Sequence, residues 1–243
     1  MGMSFAHKNN RERFNFLLDR AIEHENRKQP PRTYLGGSRL GHACARALQY
    51  EYTRTPKDAG RDFSGKILRI FERGHVFEDM MARWLRLAGF KLLTHRPDGE
   101  QFGFAVAKGR IAGHLDGVLV GGPDIFKYPA LWECKALGSK GWKKVEKEKL
   151  AKAYPVYRGQ MSIYQAYMNL MDNPGIFTAI NADTMEIYPE EVPFDGGLAQ
   201  RLSDKGVLVL QCCDRYELLP RIAAEPDHFE CKFCDYHDTC WNL

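Results

Sequence analysis

The chain has 243 residues, 44% of them hydrophobic, enough to build a core for one large domain or two small ones, so a disordered chain and a disulfide-stapled miniprotein are excluded. Thirty-five Lys and Arg against thirty-one Asp and Glu leave a net charge of +4, which suits an acidic partner without identifying one. No apolar run approaches the roughly 18 residues of a membrane span. The opening residues, MGMSFAHKNNRER, lack the apolar stretch of a signal peptide, so the expectation is a soluble cytoplasmic protein without a membrane partner.

Residues 9 to 27 carry Phe14, Leu17, Leu18 and Ile22 at helical spacing, and KQPPRTYLGGS then stops the helix. A shorter helix is predicted over 42 to 52. Ile67, Ile70, Phe71, Phe77, Met81, Trp84 and Leu85 recur at three- and four-residue intervals, which predicts a long amphipathic helix over 63 to 87 that carries His75. From 90 to 137 the pattern changes to the β-prone runs FKLLTH, FGFAVA, RIAGHLDGVLV and ALWECKAL, separated by turns such as PDGE and GGPD. Helical periodicity returns from 139 to 172, followed by the short strands GIFTAINA and MEIYPEEV and a helix from 195 to 218. This alternation predicts an α/β fold, a mixed sheet covered by helices on both faces. No repeat or linker divides the chain, so it reads as one domain over 1–243: a helical extension at 1–37, a core at 38–220 and a cysteine-rich segment at 221–243.

The informative segments are GHLDGV and WECK. Side chains alternate along an extended strand, so His114 and Asp116 should share one face and Glu133 and Lys135 another. Pairing of the two strands would bring Asp116, Glu133 and Lys135 together. Two carboxylates at close range repel unless a cation lies between them, and oxygen ligands with open positions suit Mg²⁺ or Mn²⁺ on a phosphate substrate. A lysine beside them can orient a water and stabilise charge developing on phosphorus. The bland alternative is a surface salt bridge.

Asp116 followed by Glu133-Cys134-Lys135 resembles the D…(D/E)xK signature of the PD-(D/E)xK nuclease superfamily. Two further elements resemble its RecB-like branch. His75 in RGHVFEDM stands in the helix before the strands, where that branch carries a histidine similar to a third metal ligand. Gln160 and Tyr164 in YRGQMSIYQAYM, spaced i,i+4 on one helix face, match its QxxxY motif. The resemblance implies a restriction-endonuclease-like α/β/α core. It also implies that His75, Asp116 and Glu133 hold the metal with help from the Cys134 carbonyl, that Lys135 assists the attacking water, and that Gln160 and Tyr164 contact the nucleic-acid backbone and the lysine. Glu72 and Glu78, one turn to either side of His75, read as solvated charges able to support its ring. His114 reads as a neighbour of the site rather than a member.

Seven cysteines, an odd number, read as thiols or metal ligands rather than a disulfide framework. Cys231, Cys234 and Cys240 in CKFCDYHDTC are spaced for metal, with Cys44, His228 or His237 as the fourth ligand, and spacing alone does not choose between zinc and an iron-sulfur cluster. Here too a resemblance decides. The iron-sulfur RecB-like nucleases, including the AddB nuclease domain and the fourth-family CRISPR-associated exonuclease, place one cysteine before the nuclease core and three after it. Ser38, Leu40, Cys44, Arg46 and Tyr50 are similar to their first motif, although Ala45 stands where proline is frequent. The implied group is a structural [4Fe-4S] cluster on Cys44, Cys231, Cys234 and Cys240, with zinc the lesser alternative. Cys134 should point away from the site as a buried thiol, and Cys212 and Cys213 read as helix core.

Residues 139 to 152, SKGWKKVEKEKLAK, hold six lysines and two glutamates, a block able to neutralise phosphates while Trp142 stacks on a base. Arg46, Arg69 and Arg73 are weaker contacts. The reading as a whole is a metal-dependent DNA exonuclease acting at single-stranded ends, in recombination, repair, phage or CRISPR spacer-acquisition contexts. Its partners would be DNA and either a second copy of the chain or recombination and CRISPR adaptation proteins. The alternatives are a non-catalytic zinc-containing nucleic-acid-binding module and a structure-selective endonuclease of the same superfamily.

Overall fold

A computed structural model describes residues 9–242; the first eight residues of the expected extension lie outside it, as does Leu243. Helix α1 (Asn10–Arg27) opens with a capping box in which Asn9 and Glu12 exchange side-chain and backbone bonds. It buries none of its residues and lies on α3 (Gly65–Leu87), tied there by the Arg69–Asp19 ion pair and by Gly65 N–H donating to Glu23 at 3.0 Å. Between them come β1 (Leu35–Gly36), a 3₁₀ turn at Gly37–Arg39 and α2 (Ala45–Tyr52).

After α3 follow β2 (Lys91–Leu93), β3 (Gly103–Val106), β4 (Ile111–His114), β5 (Gly117–Gly121) and β6 (Ala130–Leu137). Then come α4 (Ser139–Ala153), α5 (Pro155–Tyr167), β7 (Gly175–Asn181), β8 (Ile187–Val192) and α6 (Gly196–Asp214). The main sheet has the order β2-β5-β6-β7-β8, with β6 and β7 parallel and the other pairs antiparallel; β1-β4-β3 form a smaller mixed sheet. Strand β6 is central, and its alternation divides the core. Leu131 and Leu137 pack with Val145 and Leu150 of α4 and with Met161 and Ile163 of α5, while Trp132 and Cys134 pack with Met81 and Leu85 of α3. Helices therefore cover both faces, the restriction-endonuclease-like α/β/α arrangement expected.

Three expectations are corrected. RIAGHLDGVLV is two strands in different sheets. Leu115 N–H still donates to Phe102 across the small sheet at 2.8 Å, whereas Gly117 already pairs with Trp132 of β6. The switch needs glycine at 117, because a Cβ there would meet Leu92 Cδ1 at 2.7 Å and the Leu93 carbonyl at 2.9 Å. His114 and Asp116 therefore do not share a strand face. The helical run from 139 is also two helices: Lys149 takes a left-handed φ of 66°, with the next amide, Leu150 N–H, donating to Glu190 at 2.9 Å, and Pro155 opens α5 in its first turn. Helix α6 ends at Asp214 rather than 218, where the carboxylate takes both Arg110 guanidinium nitrogens at 2.6 and 2.9 Å.

Two short helices, α7 (Phe229–Lys232) and α8 (His237–Trp241), close the described chain. The tail is fastened to the front of the molecule. Gln49 of α2 donates to the Glu217 carbonyl at 2.6 Å and accepts from Leu219 N–H at 2.9 Å, and Arg46 donates to the Leu219 carbonyl at 2.5 Å. Asp58 accepts from Asp238 N–H at 2.6 Å and from Thr239 N–H at 3.0 Å, and Lys57 pairs with Asp235 at 2.7 Å.

Trp132 is fully buried at the centre of β6, its indole N–H donating to Thr178 Oγ1 at 3.0 Å. Trp132→Ala should destabilise the fold by about 3–5 kcal/mol, read as a lowered urea midpoint; a loss below about 1 kcal/mol would show that β6 is not the core strand.

Candidate active site

Glu133 and Lys135 leave β6 on the same face, as the strand period requires. Asp116 joins them from the switch between β4 and β5, because the β5–β6 register opposes Gly117 to Trp132. Its Oδ2 accepts the Cys134 backbone N–H at 2.7 Å and lies 3.9 Å from Lys135 Nζ. Glu133 is fully buried; its Oε1 takes the Lys135 ammonium and, at 2.6 Å, the amide of Gln160 from α5. Its Oε2 is buried without a hydrogen-bond partner.

The electrostatics follow from this crowding. Burial, then the Asp116 charge, pushes the Glu133 pKa up to about 8. Burial opposes the Lys135 charge, yet the two carboxylates outweigh it and hold the ammonium above the ordinary lysine value. Glu78 on α3 belongs to the same field: burial, then Asp116, raises it to about 7, with Lys135 pulling the other way. His75 stands apart. Its side chain is 82% exposed, and its Nδ1 lies 4.0 Å from Glu78. The α3 group that senses the β-strand carboxylates is thus Glu78, which the sequence reading took as a solvated charge able to support the His75 ring.

Gln160 and Tyr164 sit one helical turn apart on α5 and are both buried, at 6% and 3% exposure. Gln160 bonds the carboxylate rather than the lysine. Tyr164 packs edge-on to Phe104 at 5.4 Å, and burial raises its hydroxyl pKa, with a hydrogen bond to Ser38 acting against this. Both border a cleft of about 250 Å³ with Lys135, Ser38, Arg32, Tyr34 and His114. Arg32 and Tyr34 carried no sequence signal, since they lie in a segment that reads only as a helix stop. Cys134 faces away, buried, and burial pushes its thiol up to about 12.

Among the described residues no three His, Cys, Asp or Glu side chains converge on one metal-ion position. A Mg²⁺-type ion does not require three, because it keeps several waters and takes one or two carboxylates. Asp116 with the unpartnered Oε2 of Glu133 fits that demand.

A second cavity is lined by Cys44, Cys231, Cys234 and Cys240, with Arg46, Tyr50, Arg221, His237 and Trp241 beside them. All seven cysteines are free thiols. Arg46 Nη1 lies 3.6 Å from the Cys240 sulfur, and burial raises the thiol pKa of Cys231 and of Cys234. His228 instead caps α7 through the Glu230 amide at 3.3 Å. Cys212 and Cys213 pack against the core from α6, as read. Trp142 is corrected: it is buried under α4, its indole donating to the Ala179 carbonyl at 3.0 Å, so it presents no ring to a base. Arg69 is committed to Asp19. None of the described helices is long and apolar enough to cross a membrane.

No protein-family model and no curated protein matches the chain. Solved structures do. The crystal structure of SSO0001 superposes with a TM-score of 0.50 at 17% identity, covering 92% of this chain and 93% of that one. The alkaline exonuclease LHK-Exo from Laribacter hongkongensis superposes with a TM-score of 0.52 at 15% identity, covering 76% of this chain and 89% of that one. At these identities the likeness establishes a shared fold.

The raised Glu133 pKa has a measurable sign. Folded Glu133 keeps a proton that the unfolded chain releases above its ordinary value of 4.5, so the metal-free protein loses stability between there and about pH 8. Glu133→Gln in EDTA should match the parent near pH 5 and exceed it near pH 8 in urea midpoint. A difference that stays constant with pH contradicts the burial argument.

Proposed function

We propose that this chain hydrolyses phosphodiester bonds in DNA as a Mg²⁺- or Mn²⁺-dependent exonuclease acting at single-stranded ends, and that its cysteine cavity holds a structural [4Fe-4S] cluster. The observation that carries the reaction is the convergence of Asp116, Glu133 and Lys135 at the strand switch. Support for the class of reaction comes from the fold shared with an alkaline exonuclease.

In this reading Asp116 and Glu133 would hold the ion, with the Cys134 carbonyl and His75 as its further ligands and Glu78 beside His75. The bound ion supplies Lewis-acid activation of water and charge neutralisation at the scissile phosphate. Lys135 orients the water and offsets charge growing on the phosphate oxygens. Gln160 fixes the Glu133 carboxylate so that Oε2 stays free, and Tyr164 closes the cleft wall. The four free thiols around one cavity would be the donor set of that cluster. Zinc, with Zn–S bonds of about 2.3 Å, would have to draw them onto a single point. DNA enters as a polyanion with single-stranded ends; cytoplasmic residence and a role in recombination, repair or CRISPR adaptation belong to the same proposal.

Asp116→Ala and Lys135→Ala should each lower cleavage of labelled single-stranded DNA by about a hundredfold to a thousandfold, on the scale of losing a preorganised charge, and EDTA should abolish it with Mn²⁺ restoring it. Undiminished cutting in either variant refutes the site. A covalently closed single-stranded circle should survive; its linearisation would make the enzyme an endonuclease. Anaerobically purified protein should be brown and contain iron, both lost in Cys231→Ala; colourless protein with stoichiometric zinc overturns the cluster.

A further inference from the structure

The side chains between the active site and the lysine-rich helix are connected. Lys135 Nζ lies 5.4 Å from the ring centroid of Tyr157, in the first turn of α5. Tyr157 stacks on Tyr154, with centroids 5.2 Å apart and planes at 29°. The Tyr154 ring in turn carries Lys144, whose ammonium is 5.5 Å from the centroid and donates to the Ala153 carbonyl at 3.0 Å. Both rings are half-buried, with one part packed and one part open. A groove of about 460 Å³ begins where Tyr154 ends, walled by Lys140, Lys143, Lys144 and Lys147, with Glu148 the carboxylate in its lining.

Two features separate this groove from an ordinary solvated helix face. Lys140, Lys143 and Lys147 are exposed and form no ion pair among the described residues, although glutamates stand at 146 and 148. They recur at i, i+3 and i+7, one stripe of α4, while Trp142, Val145 and Leu150 anchor the other side in the core. The ring, moreover, is seated deliberately: a Cβ at Gly141 would stand 2.5 Å from the Tyr154 hydroxyl, so the helix leaves a gap for the tyrosine to lie across it. Stacked aromatics next to unpaired cations are the combination that binds single strands, the rings taking base faces and the lysines taking phosphates.

We propose that a single strand of nucleic acid passes from the cleft across Tyr157 and Tyr154 onto the Lys140–Lys143–Lys147 stripe of α4. This deepens the nuclease reading and rests on it for the direction of travel, but binding is measured apart from cutting. The probe is a fluorescein-labelled oligothymidine, followed by anisotropy in EDTA, with Asp116→Asn as the parent. Tyr154→Ala and Tyr157→Ala should each weaken binding by about fivefold or more, with Tyr157→Phe near the parent. On an abasic strand of the same length the ring substitutions should have no effect. Lys143→Ala with Lys147→Ala should reduce the slope of log affinity against log salt by about 1.4, on both strands, from roughly 0.7 per lost phosphate contact.

Ring variants that melt like the parent and bind within twofold overturn the proposal. So does an equal loss on the abasic strand, or an unchanged salt slope in the lysine variant, whose exposed positions carry no core packing. Metal-dependent cutting with unaltered affinity in the ring variants sinks this path and spares the reaction. Ring-dependent binding by a chain that cuts nothing keeps the path and removes the nuclease.

Discussion

A carboxylate with no exposure to water is the constraint around which this molecule is arranged. Burying Glu133 costs several kcal/mol unless its charge is met, and among the described residues Lys135, two residues along the same strand, and the Gln160 amide are its hydrogen-bond partners. One oxygen is left over. That free oxygen, beside a second carboxylate, is the feature on which the proposed ion-binding role of the site rests. The raised pKa values of Glu133 and Glu78 express the same constraint from the proton's side, since without a metal a proton is the cheapest neutralising partner.

The topology serves that arrangement. Strand β6 lies in the middle of the sheet, where both faces are covered, which is why its residues read as a continuous apolar run broken only by Glu133 and Lys135. The neighbouring strand β5 does not itself carry the aspartate. Asp116 occupies the step between two sheets, where its backbone is released from ladder bonding and its side chain can take the Cys134 amide. Helix α5 then lays Gln160 and Tyr164 over the same edge, one turn apart.

Much of this was legible in the residues. The strand ALWECKAL and the helices on α1, α3 and α6 follow their hydrophobic periods, and two-residue spacing put Glu133 beside Lys135. What the pattern hid was set by long-range pairing. RIAGHLDGVLV alternates well enough to be one strand, and only the competing demands of Phe102 on one side and Trp132 on the other divide it. Trp142 looked available for stacking because it stands among lysines, whereas the helix period turns it inward. Glu78 entered the sequence reading only as a support for the His75 ring; that its carboxylate lies in the field of Asp116 follows from the direction in which α3 turns each residue, a property of packing that a short motif does not encode. Tyr157 sat unnoticed inside YRGQMSIYQAYM for the same reason, since its contact with Lys135 crosses from helix to strand.

The fastening of the tail to α2 has a mechanical side. With Gln49 gripping residues 217 and 219, and Asp58 gripping 238 and 239, the polypeptide between them is drawn into a closed hoop held by side-chain clasps. All five strands of the central sheet, from Lys91 to Val192, fall between the two clasps, so the segments that flank the sheet in the chain are joined to each other by side chains and not through the sheet itself.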